Sequence, residues 1–211
     1  MSNKPDYNTD HPSTLYEAGV LGGEAVGIDL ETIRPLRGAQ SIFMAAKNGQ
    51  RGRKLVVIKV IPDDKSREPR NGRREARLLA KLSHPNIISL LNAYLDSPSA
   101  NWLTGRITLF LPHYPHTLRQ LLDSPRFVPG ADDQLKFDNY TASIAWQLVS
   151  ATAYLHERSI SHRDINPSNI VISEEGRPLL IDFGIAVEPG DEKEGEQHFE
   201  VGTGQVPSSS F

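Results

Sequence analysis

Apolar and polar positions divide the chain into a first part with the short-range pattern of strands and a later part with helical periodicity. Ser41–Ala45 and Leu55–Val60 are short apolar runs with the composition of strands. The stretch Asn48–Arg53 between them begins with the turn-forming dipeptide Asn-Gly, which predicts a hairpin. Two further strands are predicted, at Ile87–Tyr94 and Ile107–Leu111.

Helical spacing is found in segments that follow these strands or lie between them. In the first helical segment Glu75, Leu79 and Leu82 fall on one face, and Leu78 widens the apolar stripe. The three predicted helices are Arg73–Leu82, Leu118–Asp123 and Asn139–Arg158.

The longest predicted helix is followed by a second predicted hairpin. Asp138 is the expected N-cap of this helix. Ile170–Ile172 and Leu179–Ile181 are short apolar runs on either side of a turn at Glu174-Glu175-Gly176. Because strands come first and helices follow, the order of elements favours an α+β fold in two lobes. The positions in helical register are Ile144, Leu148, Ala151 and Leu155.

The composition is that of one soluble globular domain, and it restricts the classes of partner. Of the 211 residues, 38% are hydrophobic and 23% are charged, and a net charge of -3 favours neither a nucleic-acid nor a membrane surface as partner. Cysteine is absent, which excludes disulfides and thiolate metal sites and is compatible with an intracellular protein. Met1–Glu17 is polar and lacks the apolar centre of a signal peptide, and no apolar run is long enough to cross a bilayer.

Two motifs on either side of the second hairpin carry the candidate chemistry. His162-Arg163-Asp164 is followed by Asn169, and Asp182-Phe183-Gly184 comes after the hairpin. A positioned carboxylate such as Asp164 can accept the proton of a hydroxyl, and Asn169 and Asp182 offer the oxygen ligands that Mg²⁺ prefers. A polar loop of capped side chains is the alternative for either motif alone, whereas the ordered pair at this spacing is a strong signal.

The ordered pair resembles the H-R-D-x-x-x-x-N and D-F-G motifs of eukaryotic protein kinases. The resemblance extends over roughly Ile33 to Gln205. It implies a two-lobed kinase-like fold with a β-rich first lobe and a helical second lobe, and it implies ATP and Mg²⁺ as cofactors. In this family Asp164 would be the catalytic base, and Asn169 and Asp182 would hold the metal.

The resemblance is to serine/threonine kinases rather than to tyrosine kinases. Pro167-Ser168-Asn169 and Gly202-Thr203 carry this distinction. Cyclin-dependent-kinase-like enzymes are the most similar group, and among them the fungal kinases that activate cyclin-dependent kinases.

Lys59 resembles the phosphate-binding lysine of these kinases. It ends the run Val56-Val57-Ile58-Lys59, which is similar to the family's V-A-I-K strand. The resemblance implies that Lys59 binds the α- and β-phosphates and pairs with Glu75 on the following helix. Taken alone, Lys59 would more often be an edge-strand lysine whose ammonium group reaches water.

The adenine contacts follow from a resemblance between Leu109–Leu118 and the strand and linker that join kinase lobes. Leu111 would be the gatekeeper, and an ordinary strand and turn is the alternative at each position. The expected nucleotide contacts, besides Lys59 and Asp182, are Ile42, Val57, Leu111, the backbone of Pro112 and Tyr114, and Val171.

The resemblance also implies domain boundaries. We expect a flexible leader at 1–27, an N-lobe at about 28–111, a hinge at about 112–116, a partial C-lobe at 117–205 and a tail outside the family pattern at 206–211. The family's Tyr-x-Ala-Pro-Glu, expected after Gln205, does not occur, so we expect most of the helical lobe to be missing. The long helix would then expose apolar surface, which predicts poor solubility or dependence on a chaperone. Because every valine codon begins with GT, as introns usually do, one hypothesis is that Val206 is read through an unspliced junction.

Two departures from the family pattern concern the phosphates. When Ile42 is aligned with the valine of the family's G-x-G-x-x-G-x-V loop, Pro35, Arg37 and Gln40 replace its three glycines, and Gly38 matches none of them. Backbone amides would then approach the phosphates less closely, although Arg37 could compensate as a cation. Asn166 stands where serine/threonine kinases usually carry a lysine, so we expect slower phosphate transfer, not necessarily its complete loss.

The activation segment, Ile185–Gly202, is a further departure because it contains no Ser, Thr or Tyr. His198 occupies the phosphothreonine position of cyclin-dependent kinases. The segment is acidic, and one hypothesis is that a carboxylate replaces phosphate and pairs with Arg163. A solvated acidic loop is the alternative.

Three functions remain open at this stage. The first is a serine/threonine protein kinase that acts on a protein substrate in the cytoplasm, the nucleus or both, with a cyclin-like or chaperone partner left open. The second is a pseudokinase-like module that binds nucleotide or a partner without phosphate transfer. The third is a small-molecule kinase on the same fold, which the complete His-Arg-Asp motif and Gly202-Thr203 disfavour.

Overall fold

The computed structural model describes residues 27–36, 41–49, 52–63, 72–96, 105–125, 127 and 133–190. These residues fall into two compact units. The first unit contains the described residues up to Ala76 together with Ser89–His113, and the second contains Arg77–Ile88 and the described residues from Tyr114 onward. No helix in these described ranges is both long and apolar enough to span a membrane.

The first unit is built on a five-stranded antiparallel sheet with the strand order β1-β2-β3-β5-β4. Strands β2 and β3 pair without interruption from Ile42 opposite Lys59 to Gly49 opposite Gly52, so the predicted hairpin is confirmed. The strands are β1 (Ile28–Pro35), β2 (Ile42–Gly49), β3 (Gly52–Asp63), β4 (Asn92–Asp96) and β5 (Gly105–Pro112).

Alternation along the strands builds the core of this sheet. On β3, Val56, Ile58 and Val60 are buried, and they form one apolar cluster with residues of β1, β2 and β5 that include Phe43 and Phe110. Because successive strand residues point to opposite faces, the residues between them share the other face of the sheet.

Helix α1 (Gly72–Lys81) confirms the first predicted helix to within one residue at each end. Leu78 and Leu79 on it are buried, as the helical spacing predicted. Gly72 lies so close to β3 and β5 that an added Cβ would be 3.1 Å from Ile61 Cβ and 3.2 Å from Ile107 Cβ. The helix therefore begins in tight contact with the sheet.

In the described ranges the second unit contains the end of α1, two further helices and a small sheet. Helix α2 (Leu118–Leu122) begins at a capping box in which Thr117 Oγ1 accepts the Gln120 N–H and Gln120 Oε1 accepts the Thr117 N–H. The other elements are α3 (Gln134–His156), β6 (His116–Thr117), β7 (Ile170–Ile172) and β8 (Pro178–Leu180), and the strands pair in the order β6-β7-β8.

Two predicted boundaries are wrong. Ile87–Tyr94 is not one strand, since β4 begins at Asn92, and Ile87 and Ile88 are buried in the second unit, where Ile88 N–H donates to Leu180 O. The apolar run at this point therefore contributes to the cores of both units.

The long helix begins at Gln134 rather than Asn139, and its N-cap residue is Asp133 rather than Asp138. Asp138 lies inside the first turns and accepts a hydrogen bond from Gln134 Nε2 at 2.8 Å. The early turns contain few buried side chains and carry no apolar stripe, so the hydrophobic spacing could not indicate them.

Ile144, Ala151 and Leu155 on α3 are buried, as the predicted register requires. Trp146 and Val149 on the same helix are 73% and 60% exposed. Their exposure agrees with the expectation of apolar surface on this helix, and the effect on solubility stays a prediction.

Candidate active site

Lys59 lies on the face of β3 opposite the apolar core. Its neighbours Ile58 and Val60 are buried, whereas Lys59 and Val57 are partly exposed on the other face. Ile42 on β2 pairs with Lys59, and Leu111 on β5 pairs with Val57. The sheet therefore brings four of the predicted nucleotide-contacting residues to adjacent positions.

Glu75 on α1 is the partner of Lys59. Lys59 Nζ lies 2.8 Å from Glu75 Oε1 and 2.9 Å from Oε2, so the ammonium group contacts both carboxylate oxygens. The side chains of Lys59 and Glu75 are 15% and 1% exposed. A carboxylate buried so deeply needs a cation, and the pairing holds the lysine in one orientation.

In the second unit, the loop from His162 to Asn169 holds Asp164 through two side-chain amides. Asn169 Nδ2 donates to Asp164 Oδ2 at 2.8 Å and to the Asp164 carbonyl at 2.9 Å. Asn166 Nδ2 donates to Asp164 Oδ1 at 2.9 Å. Each carboxylate oxygen therefore accepts one side-chain amide, which fixes the plane of the carboxylate.

Arg163 and Asp182, one in each of the two sequence motifs, have left-handed backbone conformations. The φ angle is 68° at Arg163 and 60° at Asp182. Residues with side chains rarely adopt this region, and the local structure must compensate the cost, which is about 1–2 kcal/mol for each. On either side of Arg163, Asp164 N–H donates to His162 Nδ1 at 3.2 Å, which closes the turn.

His162 connects the two sequence motifs. Its Nε2 donates to the Ile181 carbonyl at 3.0 Å, and its ring meets the fully buried Phe183 edge-on with centroids 4.7 Å apart. Burial lowers the pKa of His162, and this effect outweighs the Ile181 carbonyl and the carboxylates of Asp182 and Asp164, which act in the opposite direction. The neutral ring, protonated on Nε2, satisfies both of its hydrogen bonds.

Asp182 is positioned through the residue before it. Ile181 N–H donates to the Asn169 carbonyl at 2.9 Å, while the Ile181 carbonyl accepts from His162. One backbone hydrogen bond, from Ile181 to Asn169, therefore links the segments that carry the two predicted metal ligands, Asn169 and Asp182, within one unit. The nitrogen of the Asn169 side chain faces Asp164, so its Oδ1 is the atom available as a metal ligand.

This donor set fits Mg²⁺. In the described ranges no three His, Cys, Asp or Glu side chains converge as a metal site. Mg²⁺ is normally held by one or two protein oxygen ligands together with water and substrate phosphates, rather than by a cage made only of protein. One carboxylate and one amide oxygen suit that mode of binding.

The remaining predicted adenine contacts are Pro112 in the first unit and Tyr114 and Val171 in the second. Pro112 ends β5, and Val171 is buried on β7 opposite Thr117. Tyr114 is half-buried, and burial together with the charge of Glu175 raises the pKa of its hydroxyl.

Several positions singled out in the sequence lie outside the described residues. These are Arg37, Gly38 and Gln40 of the glycine-loop alignment, residues 1–26 of the expected leader, the acidic part of the activation segment from 191, and the tail at 206–211.

Sequence reasoning missed two contacts of functional interest. It treated Asn166 only as a missing cation, although Asn followed by Pro-Ser is a turn-capping pattern, and Asn166 Oδ1 accepts the Ser168 N–H at 2.9 Å. It gave no role to Glu188, whose carboxylate lies 2.9 Å from Arg77 Nε and 3.0 Å from Lys81 Nζ on α1. No local pattern marks Glu188, because its partners are more than 100 residues away in the sequence.

Comparison with known proteins identifies the family. The profile described as Protein kinase domain matches residues 37–205. The probable serine/threonine-protein kinase mkcB of Dictyostelium discoideum is 32% identical over 133 residues, which are 63% of this chain and 17% of that protein. Cyclin-dependent kinase-like 4 of Mus musculus is 27% identical over 158 residues, which are 73% of this chain and 42% of that protein.

Cyclin-dependent kinase-like 2 of Oryctolagus cuniculus is 30% identical over 150 residues, which are 71% of this chain and 24% of that protein. The chain therefore spans less than half the length of each of these relatives. The predicted similarity to cyclin-dependent-kinase-like enzymes is confirmed, while the narrower similarity to fungal activating kinases stays a prediction. Since the family profile covers most of the sequence and supports the predicted α+β kinase fold class, the chain belongs to the protein kinase domain family.

Proposed function

We propose that the chain is a serine/threonine protein kinase that transfers the γ-phosphate of ATP to a protein hydroxyl. The observation that carries the proposal is the fixed carboxylate of Asp164, which accepts the side-chain amides of Asn166 and Asn169. The Asn169 carbonyl in turn accepts the backbone N–H of Ile181, in the segment that contains Asp182. A carboxylate held in one plane can orient a hydroxyl and accept its proton.

The first unit contributes a positioned cation. Lys59, held by Glu75, would bind the negatively charged phosphates. The candidates for adenine contacts in this unit are Val57 on the same strand, Ile42 opposite Lys59 on β2, and Leu111 and the backbone of Pro112 at the end of β5. In the second unit, Tyr114 and Val171 are the candidates for adenine contacts that the resemblance implies.

The second unit contributes the groups suited to transfer. Asn169 and Asp182 would hold Mg²⁺, which when bound with ATP neutralises charge that develops on the phosphates. Asp164 would orient the substrate hydroxyl and take up its proton. Little covalent chemistry is required of the protein, so fixed positions of these side chains are the main contribution it can make.

Substrate, partners and location belong to this proposal. The substrate would be a protein serine or threonine, since the relatives named above include a serine/threonine kinase. A cyclin-like partner, a role in the cell cycle and a cytoplasmic or nuclear location would follow from the similarity to cyclin-dependent-kinase-like proteins. A chaperone partner would accord with the exposed Trp146 and Val149.

The test is transfer of radiolabelled γ-phosphate from ATP with Mg²⁺ to a generic protein substrate, followed by phosphoamino acid analysis. We expect label on serine or threonine with the purified chain and a loss of at least about 100-fold in Asp164→Asn, as expected for removal of a general base. Nucleotide binding without transfer would instead favour the pseudokinase-like function. The observation that favours the pseudokinase-like function is the replacement of glycines in the glycine-rich loop, by Pro35 among others.

A further inference from the structure

Asn166 fixes one side of the Asp164 carboxylate. Its Nδ2 lies 2.9 Å from Asp164 Oδ1 and 3.3 Å from the Asp164 carbonyl, so both contacts come from one amide group. Asn169 makes the corresponding contacts to Oδ2 and to the same carbonyl. The two amides therefore hold the two carboxylate oxygens from residues two and five positions later in the sequence.

The Asn166 side chain is itself held in place. Its Oδ1 accepts the backbone N–H of Ser168 at 2.9 Å, and Asn166 caps a 3₁₀ turn at Pro167–Asn169 with an extended backbone (φ -148°, ψ 163°). Pro167 at the first position of the turn restricts the backbone further. Because Oδ1 is used by the turn, the planar amide must present Nδ2 toward Asp164.

We propose that Asn166 is a positioning residue for phosphate transfer, acting through Asp164 rather than on the substrate. This inference rests on the proposed function of Asp164 as base. Two donors on two oxygens prevent rotation of the carboxylate, and a reacting group is effective only when held within a fraction of an ångström of its working position. A carboxylate can accept about four hydrogen bonds, so the two amides orient it and still permit a substrate hydroxyl to bind.

The alternative role for Asn166 is purely structural, as the cap of the 3₁₀ turn. Asn166→Asp separates the two roles because aspartate caps a helical turn as well as asparagine does. It has no N–H to donate, however, and it places a second carboxylate beside that of Asp164, where the two charges repel. A residue that only caps the turn would tolerate this change.

The kinetic test compares Asn166→Asp with Asn166→Ala and with Ser168→Ala. The last is the matched control, since it keeps the Ser168 backbone N–H and the turn. We expect kcat to fall roughly 10- to 100-fold in Asn166→Asp and about 10-fold in Asn166→Ala, with KM for ATP changed less than about 2-fold in both. Ser168→Ala should keep the wild-type kcat. A kcat for Asn166→Asp within about 2-fold of wild type would overturn the positioning role.

A second readout does not depend on activity. In the folded chain labelled with ¹⁵N, the side-chain amide of Asn166 is identified by its loss in Asn166→Asp. We expect Asp164→Ala to shift this resonance and to accelerate its exchange with solvent, whereas Ser168→Ala leaves the exchange rate near that of wild type. If wild type transferred no phosphate, the proposed function would fail while the resonance still reported the contact. An amide unaffected by Asp164→Ala would refute the contact and with it this inference.

Discussion

The two units hold their charged groups in different ways. Glu75 and Lys59 are 16 residues apart, on a helix and a strand, and their contact depends on the packing of α1 against the sheet. Asp164 is held by amides only two and five residues away, within one loop. The first arrangement is a buried ion pair between distant elements, and the second is a local network of neutral donors around one carboxylate. Loss of a partner should therefore affect stability most in the first unit and chemistry most in the second.

The largest effect on stability is expected from Glu75→Ala. It removes a carboxylate that is 1% exposed and leaves the mostly buried Lys59 without this partner, which should lower the free energy of unfolding by about 3 kcal/mol. Urea unfolding of the purified chain measures it, with the exposed Glu31→Ala as control. A Glu75→Ala value within about 0.5 kcal/mol of that control would remove the contrast between the two units.

A smaller effect is expected from lowering the pH, through His162. Burial lowers the pKa of this imidazole below its usual 6.5, so the unfolded chain binds its proton more readily than the folded chain does. The stability that the neutral ring contributes is therefore complete above about pH 6.5 and is lost as the pH falls through the folded-state pKa. Burial also lowers the pKa values of His84 and His113, which adds to the same trend.

The measurement is the thermal unfolding midpoint between about pH 7.5 and about pH 5.5. The midpoint should fall with pH in wild type and fall less steeply in His162→Asn. Equal slopes in wild type and His162→Asn would show that the ring between Ile181 and Phe183 does not couple to folding.

The smallest effect is expected at the local cap of α2. Thr117→Ala removes the acceptor of the Gln120 N–H and should lower the free energy of unfolding by about 1 kcal/mol. Thr117→Ser keeps a hydroxyl and should restore most of it, as measured by urea unfolding. If alanine and serine behaved alike, the methyl group of Thr117 rather than its hydroxyl would account for the effect, and local capping would contribute less to the second unit than we infer.

Sequence motifs predicted the site contact in which specific residue types recur at a fixed place in a family pattern. The similarity of Val56–Lys59 to the V-A-I-K strand led to the prediction that Lys59 pairs with Glu75, and Lys59 Nζ lies 2.8 Å from Glu75 Oε1. The motif pair likewise singled out Asp164, Asn169 and Asp182, and their catalytic and metal-binding roles stay predictions.

What the sequence missed depends on loop conformation and on distant contacts. The donation from Asn166 to Asp164 occurs in a loop that also has a left-handed backbone at Arg163, which no residue type at that position signals. The sequence placed the beginning of β4 at Ile87 rather than Asn92, because the buried residues before Asn92, such as Ile88, belong to the core of the second unit. Apolar spacing reports burial, and it cannot report which unit provides the burial.

The most direct test of the account measures ATP binding and single-turnover phosphate transfer on the same samples of wild type and Asp164→Asn. Because we assign phosphate binding to Lys59 and proton transfer to Asp164, the dissociation constant for ATP with Mg²⁺ should change less than about 2-fold, while the transfer rate falls at least about 100-fold. Transfer by Asp164→Asn at the wild-type rate, with ATP bound equally well, would contradict the role of Asp164 on which the account depends.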